Sequence, residues 1–98
     1  MKPTFPQETI IAAHDHCTAN RAEVVKSEVC ACLYCLKTFP PTKIEMWVEQ
    51  LSEDTQDVPE ELWTAMCPYC PVDAVIGSAS GYPVSDPRFL KAMHEYWF

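Results

Sequence analysis

The stretches Cys32-Leu-Tyr-Cys35 and Cys67-Pro-Tyr-Cys70 decide how this chain folds. Two residues between cysteines let both thiolates of a tight turn point at one ion, and a second such pair completes a tetrahedron. Two C-x-x-C pairs separated by a long insertion are typical of zinc sites. The insertion here, residues 36–66, is long enough to hold structure of its own. The spacing therefore predicts one zinc ion bound by Cys32, Cys35, Cys67 and Cys70.

Four thiolate ligands leave no open position on a tetrahedral zinc ion, so this site is expected to be structural rather than catalytic. Such a site contributes on the order of 10 kcal/mol to folding. A chain of 98 residues has room for only one small core, so a contribution of this size decides whether it folds. Two alternatives remain open from the residues alone: the thiols are simply buried, or they take part in redox chemistry.

The second pair raises the redox alternative directly, because Cys67-Pro-Tyr-Cys70 is identical to the active-site tetrapeptide of glutaredoxins. In those proteins a helix N-terminus lowers the pKa of the first thiol. The likeness ends with the tetrapeptide, because most of a glutaredoxin follows it, whereas only 28 residues follow Cys70 here. The residue directly after the pair is Pro71. Metal binding is therefore the preferred prediction.

Two cysteines lie outside the pairs. Cys17 falls on the apolar stripe of the predicted first helix, and we expect it to be a small buried hydrophobic residue. Cys30 lies two residues before Cys32 and is an alternative to it as a zinc ligand.

The composition restricts the compartment and the partners. Residues 1–8 contain two prolines and an acid but lack the apolar region of a signal peptide, so a cytoplasmic location with reduced thiols is expected. Fourteen acidic against seven basic residues give a net charge of −7, which argues against nucleic-acid binding. The longest aliphatic run, residues 10–13, is far shorter than the roughly 20 residues that a membrane span needs.

The apolar pattern predicts a small α+β domain over residues 1–98, with treble-clef-like or zinc-ribbon-like knuckles and about three helices around a short hairpin. A first helix is predicted from Pro6 to Val29. Cys30 to Phe39 is predicted to form a hairpin that carries the first cysteine pair. Pro40-Pro41 predicts the start of a second, short helix, whose apolar face consists of Ile44, Trp47, Val48 and Leu51.

The second half is predicted to be less regular. Residues 52–61 are acidic without an apolar period and are expected to form a solvated loop, followed by a short strand over 62–66. Residues 72–76 form a brief apolar turn or helix that ends at Gly77 as a left-handed C-cap. A last helix is capped by Asp86 or Ser85 and has Pro87 in its first turn. Its predicted apolar face consists of Phe89, Leu90, Met93 and Trp97.

The chain has three histidines. On one helix His14 and His16 point about 200° apart, so they do not share an ion there. One is expected to face the core and the other the solvent. A pair of His14 with His94, formed where the first and last helices pack, is the alternative. Arg21 is expected to pair with Asp73 or a C-terminal carboxylate, or to be solvated.

The chain resembles a family of small, largely uncharacterised bacterial cytoplasmic proteins with paired C-x-x-C zinc knuckles. The resemblance rests on His14-x-His16 with Asn20-Arg21, on Val29-Cys-x-Cys-x-Tyr-Cys35, on Cys67-Pro-Tyr-Cys-x-x-Asp73-x-Val-Ile-Gly77, on Ser80-Gly-Tyr-Pro83 and on Met93-His-x-Tyr-Trp-Phe98. It covers nearly the whole chain and implies a zinc-binding cytoplasmic protein, without implying an activity. The chain departs from it at Pro71, where a glycine is expected.

The leading functional hypothesis is a non-enzymatic protein-binding or adaptor module with a structural zinc ion. Its partner surface is expected around Trp47, Tyr82 or the C-terminal aromatic residues, because aromatic side chains dominate interface energetics. An alternative is a small hydrolase or nuclease-like enzyme that uses His14, His16 or His94. A third hypothesis is a thiol redox switch in which oxidation expels the zinc ion and pairs the cysteines. No catalytic residue is predicted, because the sequence contains no recognisable nucleophile and base set.

Overall fold

The computed structural model describes residues 5–49 and 58–98, and these residues form an α+β structure, as predicted. Its helices are α1 (Gln7–His14), α2 (Arg21–Val25) and α3 (Pro87–Trp97). Its strands are β1 (Cys30–Cys32), β2 (Thr38–Phe39), β3 (Trp47–Val48), β4 (Thr64–Ala65) and β5 (Val75–Gly77). Short 3₁₀ turns occur at Asp15–Cys17, Pro41–Lys43, Glu60–Leu62 and Ser78–Ser80.

Two antiparallel sheets place the cysteine pairs. The larger sheet has the strand order β2-β1-β5, and the smaller one pairs β3 with β4. β1 and β2 form a hairpin in which Cys30 pairs with Phe39, which confirms the hairpin predicted for this segment. On its other side β1 pairs with β5, and Cys32 lies opposite Val75. The first cysteine pair therefore lies at the end of β1 and in the β1–β2 connection, and the second lies in the β4–β5 connection.

The predicted continuous helix from Pro6 to Val29 is wrong. α1 ends at His14, a 3₁₀ turn follows, and α2 begins only at Arg21. Ala19 has a φ of 51°, a left-handed conformation that interrupts a right-handed helix. The next residue, Asn20, is polar but only 4% exposed.

The predicted second helix is also wrong. Pro41–Lys43 form a single 3₁₀ turn, and the chain then extends into β3. The residues predicted to share an apolar helix face therefore lie on a turn and a strand, and Leu51 lies outside the described residues. Of the predicted acidic loop, residues 52–57 also lie outside them, and Glu60–Leu62 form a 3₁₀ turn. The predicted strand before the second cysteine pair is confirmed as β4.

Gly77 does not cap a helix. Residues 75–77 form β5, and Gly77 has extended backbone with a φ of −101°. Its lack of a side chain serves packing instead, because a Cβ there would overlap the Ser27 side chain and lie 3.3 Å from Val24 Cα. The left-handed glycine is Gly81, which has a φ of 89° and ends the following 3₁₀ turn.

The last helix is confirmed. The Asp86 carboxylate accepts a hydrogen bond of 2.9 Å from the Arg88 N–H, as an N-cap does. Phe89, Leu90 and Met93 are buried and form one core cluster with residues of α1, β1 and β5. Within the described ranges, no helix is both long enough and apolar enough to cross a membrane.

Candidate metal centre

The sulfur atoms of the four paired cysteines lie close together. The Sγ atoms of Cys32, Cys35, Cys67 and Cys70 all lie within 4.8 Å of one another. We call the turn Cys32–Cys35 the first knuckle and the turn Cys67–Cys70 the second knuckle. Two sulfur contacts cross between them, 3.5 Å from Cys32 to Cys70 and 3.7 Å from Cys35 to Cys67. The pairs therefore form one cluster that could hold a metal ion.

The size of the cluster fits a tetrahedral thiolate site. With metal–sulfur bonds of about 2.3 Å, two sulfurs of a tetrahedron are about 3.8 Å apart. The two crossing contacts of 3.5 and 3.7 Å are close to that separation. Among residues 5–49 and 58–98, no other group of three or more histidine, cysteine or acidic side chains is gathered in this way.

The β1–β2 hairpin builds the first knuckle. Cys32 is the last residue of β1 and is buried, whereas Cys35 is half-buried in the turn. Two backbone hydrogen bonds close the turn. The Leu36 N–H donates to the Cys32 carbonyl at 2.9 Å, and the Cys32 N–H donates to the Lys37 carbonyl at 3.0 Å. Leu36 has a φ of 65°, a left-handed conformation directly after the second cysteine.

The second knuckle repeats this form. The Cys67 N–H donates to the Val72 carbonyl at 3.0 Å, and the N–H groups of Tyr69 and Cys70 point at Cys67 Sγ from 3.4 and 3.5 Å. Pro71 follows the second cysteine directly, as Leu36 does in the first knuckle. The resemblance calls for glycine at Pro71 only. In the first knuckle the corresponding residue, Leu36, has the left-handed backbone that glycine takes most easily.

The second knuckle does not have the surroundings of a glutaredoxin thiol pair. Residues 71–74 are not helical, and the chain runs from Cys70 into β5. The residues after Cys70 therefore do not supply the helix N-terminus that lowers the pKa of the first thiol in glutaredoxins.

The environment of the cluster favours a bound cation. Burial raises the pKa of Cys32 above the usual thiol range, and the backbone N–H groups of Cys35 and Tyr34 oppose this only in part. At Cys67 burial acts in the same direction, but the N–H groups of Cys70 and Tyr69 and the thiols of Cys70 and Cys35 outweigh it, so the pKa of Cys67 is lowered. The pKa of Cys70 is raised, chiefly by burial. Four adjacent thiolates repel one another, so all four ionise together only when a cation neutralises them.

The two remaining cysteines lie outside this cluster. Both Cys17 and Cys30 are buried, which confirms the prediction for Cys17. Burial raises the pKa of the Cys17 thiol to about 12, with Asp73, Glu23 and Asp15 adding to the effect. Burial also raises the pKa of Cys30 to about 11. Because Cys30 is not one of the four gathered sulfurs, the cluster offers no support for it as a substitute for Cys32.

The histidines have three separate environments. His14 stacks on Trp97 with ring centroids 4.0 Å apart. His16 Nδ1 lies 2.9 Å from the Glu23 carboxylate. His94 Nδ1 donates to the Leu33 carbonyl at 3.1 Å, so it attaches α3 to the first knuckle. The predicted alternative of a His14–His94 pair gains no support from these contacts.

Asn20 positions the second knuckle. The helix predicted for this part of the sequence did not indicate that role. Its side-chain amide donates to the carbonyls of His16 and Val75, both at 2.8 Å. Its Oδ1 accepts from the Ala65 N–H at 3.1 Å. Ala65 ends β4 just before Cys67, and Val75 begins β5 soon after Cys70. Asn20 therefore holds both strands that flank the second knuckle.

Arg21 has partners that the sequence did not suggest. Its guanidinium lies over the rings of Trp47 and Trp63, 4.9 and 5.2 Å from their centroids. Its backbone N–H donates to the Trp63 carbonyl at 2.9 Å. Arg21 therefore joins α2 to both sides of the β3–β4 connection through cation–π contacts. None of the three expected environments, a pair with Asp73, a pair with a C-terminal carboxylate or full solvation, included these contacts.

The fold and the cluster define the class of this protein as a small α+β protein with a four-cysteine centre of the metal-binding type. In comparisons with known proteins, no family model, no curated protein and no solved structure matches the chain. The structure shows the two C-x-x-C pairs of the resemblance gathered into one cluster.

Proposed function

We propose that Cys32, Cys35, Cys67 and Cys70 bind one zinc ion and that this ion is structural. The observation that carries the proposal is the gathering of four sulfurs, from two separate strand connections, within 4.8 Å. Four protein ligands leave zinc no position for water or substrate. Zinc-ribbon-like knuckles describe the site better than a treble clef, because both pairs lie between strands and residues 71–74 after the second pair are not helical.

The zinc proposal is tested by native mass spectrometry of the reduced protein, compared with its denatured mass. We expect one zinc ion per chain and protection of all four cysteines of the cluster from alkylation. Chelation should expose the four thiols together, because they share the ion. A metal-free native mass, together with rapid alkylation of Cys67, would contradict the proposal.

The chain acts as an adaptor for a protein partner in a cytoplasmic, thiol-reducing environment. Support comes from exposed apolar side chains within or beside the two knuckles, which are 39–53% exposed. We call them the knuckle face: Tyr34, Leu36, Tyr69 and Phe98. Tyr34 and Phe98 contact each other, with ring centroids 5.2 Å apart. Aromatic side chains of this kind are the usual anchors of protein interfaces.

Charge specifies the kind of partner. The chain carries a net charge of −7, which attracts a basic protein and repels nucleic acid. Of the aromatic residues named from the sequence, the C-terminal Phe98 belongs to the knuckle face, whereas Trp47 and Tyr82 are half-buried. Trp47 is in contact with Arg21, and Tyr82 stacks on Phe89 with centroids 6.0 Å apart.

The adaptor proposal is tested by affinity capture from lysate, followed by binding measurements with the purified basic protein that is recovered. Tyr34→Ala, Tyr69→Ala and Phe98→Ala should each weaken binding at least about tenfold, as interface anchors do. Ile11→Ala and Val25→Ala are matched controls, because these apolar side chains are similarly exposed on α1 and α2. Equal binding by all five variants and the wild type would rule out the knuckle face.

A further inference from the structure

We propose that the metal centre is also a redox switch, in which hydrogen peroxide converts its cysteines into two disulfides that join the knuckles, Cys32–Cys70 and Cys35–Cys67. This inference rests on the four-cysteine site proposed above and assigns the regulation of that site. Its new content is the pairing between knuckles. The pairing matters because it determines whether the oxidised, metal-free chain remains folded.

The first argument is access to the sulfurs. Each knuckle has one buried cysteine. Cys32 in the first knuckle is 0% exposed, and Cys67 in the second is 3% exposed. Each knuckle also has one half-buried cysteine, which solvent reaches: Cys35 in the first and Cys70 in the second. Peroxide therefore reaches Cys35 and Cys70 first, since all four sulfurs are thiolates when they bind zinc and their exposure then decides the order of oxidation.

The second argument is which sulfur faces each oxidised one. Cys70 Sγ contacts Cys32 Sγ at 3.5 Å, and Cys35 Sγ contacts Cys67 Sγ at 3.7 Å. Each accessible sulfur therefore has a buried sulfur of the opposite knuckle as a neighbour. That neighbour is shielded from a second peroxide molecule but is placed to attack the oxidised sulfur.

The chemistry balances with peroxide as the oxidant. The accessible thiolate attacks one peroxide oxygen, the O–O bond breaks, and a sulfenic acid and a hydroxide form. The facing thiolate then attacks the oxidised sulfur, the S–S bond forms, and a second hydroxide leaves. Each disulfide consumes two thiolates and one peroxide, and the two electrons lost by sulfur reduce the peroxide oxygens. Zinc is released because the disulfide sulfurs are no longer thiolates.

Pairing between knuckles preserves the link that the metal makes. Each such disulfide ties the β1–β2 hairpin to the β4–β5 connection and closes a chain segment of more than thirty residues. A disulfide within one C-x-x-C turn would close only that turn and leave the two connections free to separate. Because long closed loops restrict the unfolded chain more, the crossed disulfides keep the oxidised form folded without metal.

Peptide mapping of the wild-type chain tests the pairing. The zinc content of the reduced protein is first measured by native mass spectrometry, and the protein is then treated with hydrogen peroxide, alkylated and digested with trypsin without reduction. Cleavage after lysine and arginine places Cys30, Cys32 and Cys35 in peptide 27–37, and Cys67 and Cys70 in peptide 44–88. We expect these two peptides as one linked species. Fragmentation should show Cys32 bound to Cys70, Cys35 bound to Cys67, and Cys30 unpaired.

Two double variants separate the partners. Cys35→Ser/Cys67→Ser retains the Cys32–Cys70 contact and should still give linked peptides. Cys35→Ser/Cys70→Ser removes both accessible sulfurs and should react with peroxide at least about tenfold more slowly. If these variants do not fold, the wild-type map still decides the pairing.

The outcomes distinguish the switch from the zinc site itself. Separate peptides, each with an internal disulfide, would overturn the switch, and so would zinc that stays bound under peroxide. Either result is compatible with a structural zinc ion. Linked peptides from a chain that never contained zinc would support the cysteine pairing and contradict the zinc proposal. Circular dichroism of the oxidised form should show retained helix, and loss of that signal would also overturn the switch.

Discussion

Replacing Asn20 with alanine should weaken the metal centre, although Asn20 is not one of its cysteines. The side chain holds β4 through the Ala65 N–H and β5 through the Val75 carbonyl, and it also binds the His16 carbonyl. Alanine at this position leaves these backbone groups without their side-chain partner in a region that is almost closed to solvent. The two strands beside the second knuckle then lose their common attachment.

The size of the effect follows from the contacts. Each of the three hydrogen bonds contributes about 1 kcal/mol, and buried groups left unpaired add a desolvation penalty. The free energy of unfolding should therefore fall by about 3–5 kcal/mol. Because binding of a structural zinc ion is coupled to folding, a loss of about 3 kcal/mol should weaken the apparent zinc affinity about 100-fold.

Two measurements check this prediction. Denaturant unfolding of the zinc-loaded variant gives the change in stability, and competition with a chromophoric chelator gives the change in zinc affinity. Gln7→Ala is the matched control, because the Gln7 side-chain amide makes an exposed hydrogen bond of 3.2 Å to the Tyr96 hydroxyl. That variant should stay within about 0.5 kcal/mol of the wild type.

Two results would refute the reasoning. If Asn20→Ala unfolds as the wild type does, the three contacts do not hold the fold together. If stability falls by the expected amount while zinc affinity stays unchanged, the second knuckle does not depend on the strands that Asn20 joins.

Three further predictions follow from backbone geometry and burial. Gly77→Ala should cost about 1–3 kcal/mol in thermal or denaturant unfolding, because its Cβ meets Ser27, and Ser27→Ala in the same chain should recover part of that loss. Leu36→Gly should stabilise the zinc-loaded protein by about 1 kcal/mol, because Leu36 has a φ of 65° and an exposed side chain; Leu36→Ala should show no such gain. Burial raises the pKa of Cys17 to about 12 and that of Cys30 to about 11, from an ordinary thiol value of 9.0. The unfolded chain therefore loses these protons at lower pH than the folded one, and the free energy of unfolding should fall as the pH rises from about 9 to about 12. Equal stability at pH 8 and pH 11 would contradict this.

The cluster of cysteines and the last helix could be predicted because their determinants are local. A two-residue spacing makes each cysteine pair a unit, and two such units have few arrangements other than a shared site. At the last helix, the cap at Asp86, the proline after it and the apolar period all lie within one short stretch. Such signals are read without knowledge of distant contacts.

The rest could not be predicted because tertiary contacts determined it. The apolar stripe continues through residues 15–20, so the pattern favoured one helix, whereas the buried amide of Asn20 binds β4 and β5 and the chain turns there. Gly77 looked like a helix cap in isolation, but it pairs with Cys30 of β1, and Ser27 and Val24 leave no room there for a side chain. The cation–π contact of Arg21 likewise could not be predicted, because its partner Trp63 is distant in sequence.

The first knuckle connects the metal centre to parts of the chain that contain none of the clustered cysteines. Leu33, between Cys32 and Tyr34, is fully buried, and its N–H donates to the Ala74 carbonyl at 2.8 Å. Its own carbonyl accepts from His94 Nδ1 at 3.1 Å, so one knuckle residue holds both the segment after the second knuckle and α3. Opening this turn therefore releases the C-terminal helix together with the sheet. Chelation should consequently unfold the described part of the chain in one transition, and loss of helix and exposure of the cysteines should coincide.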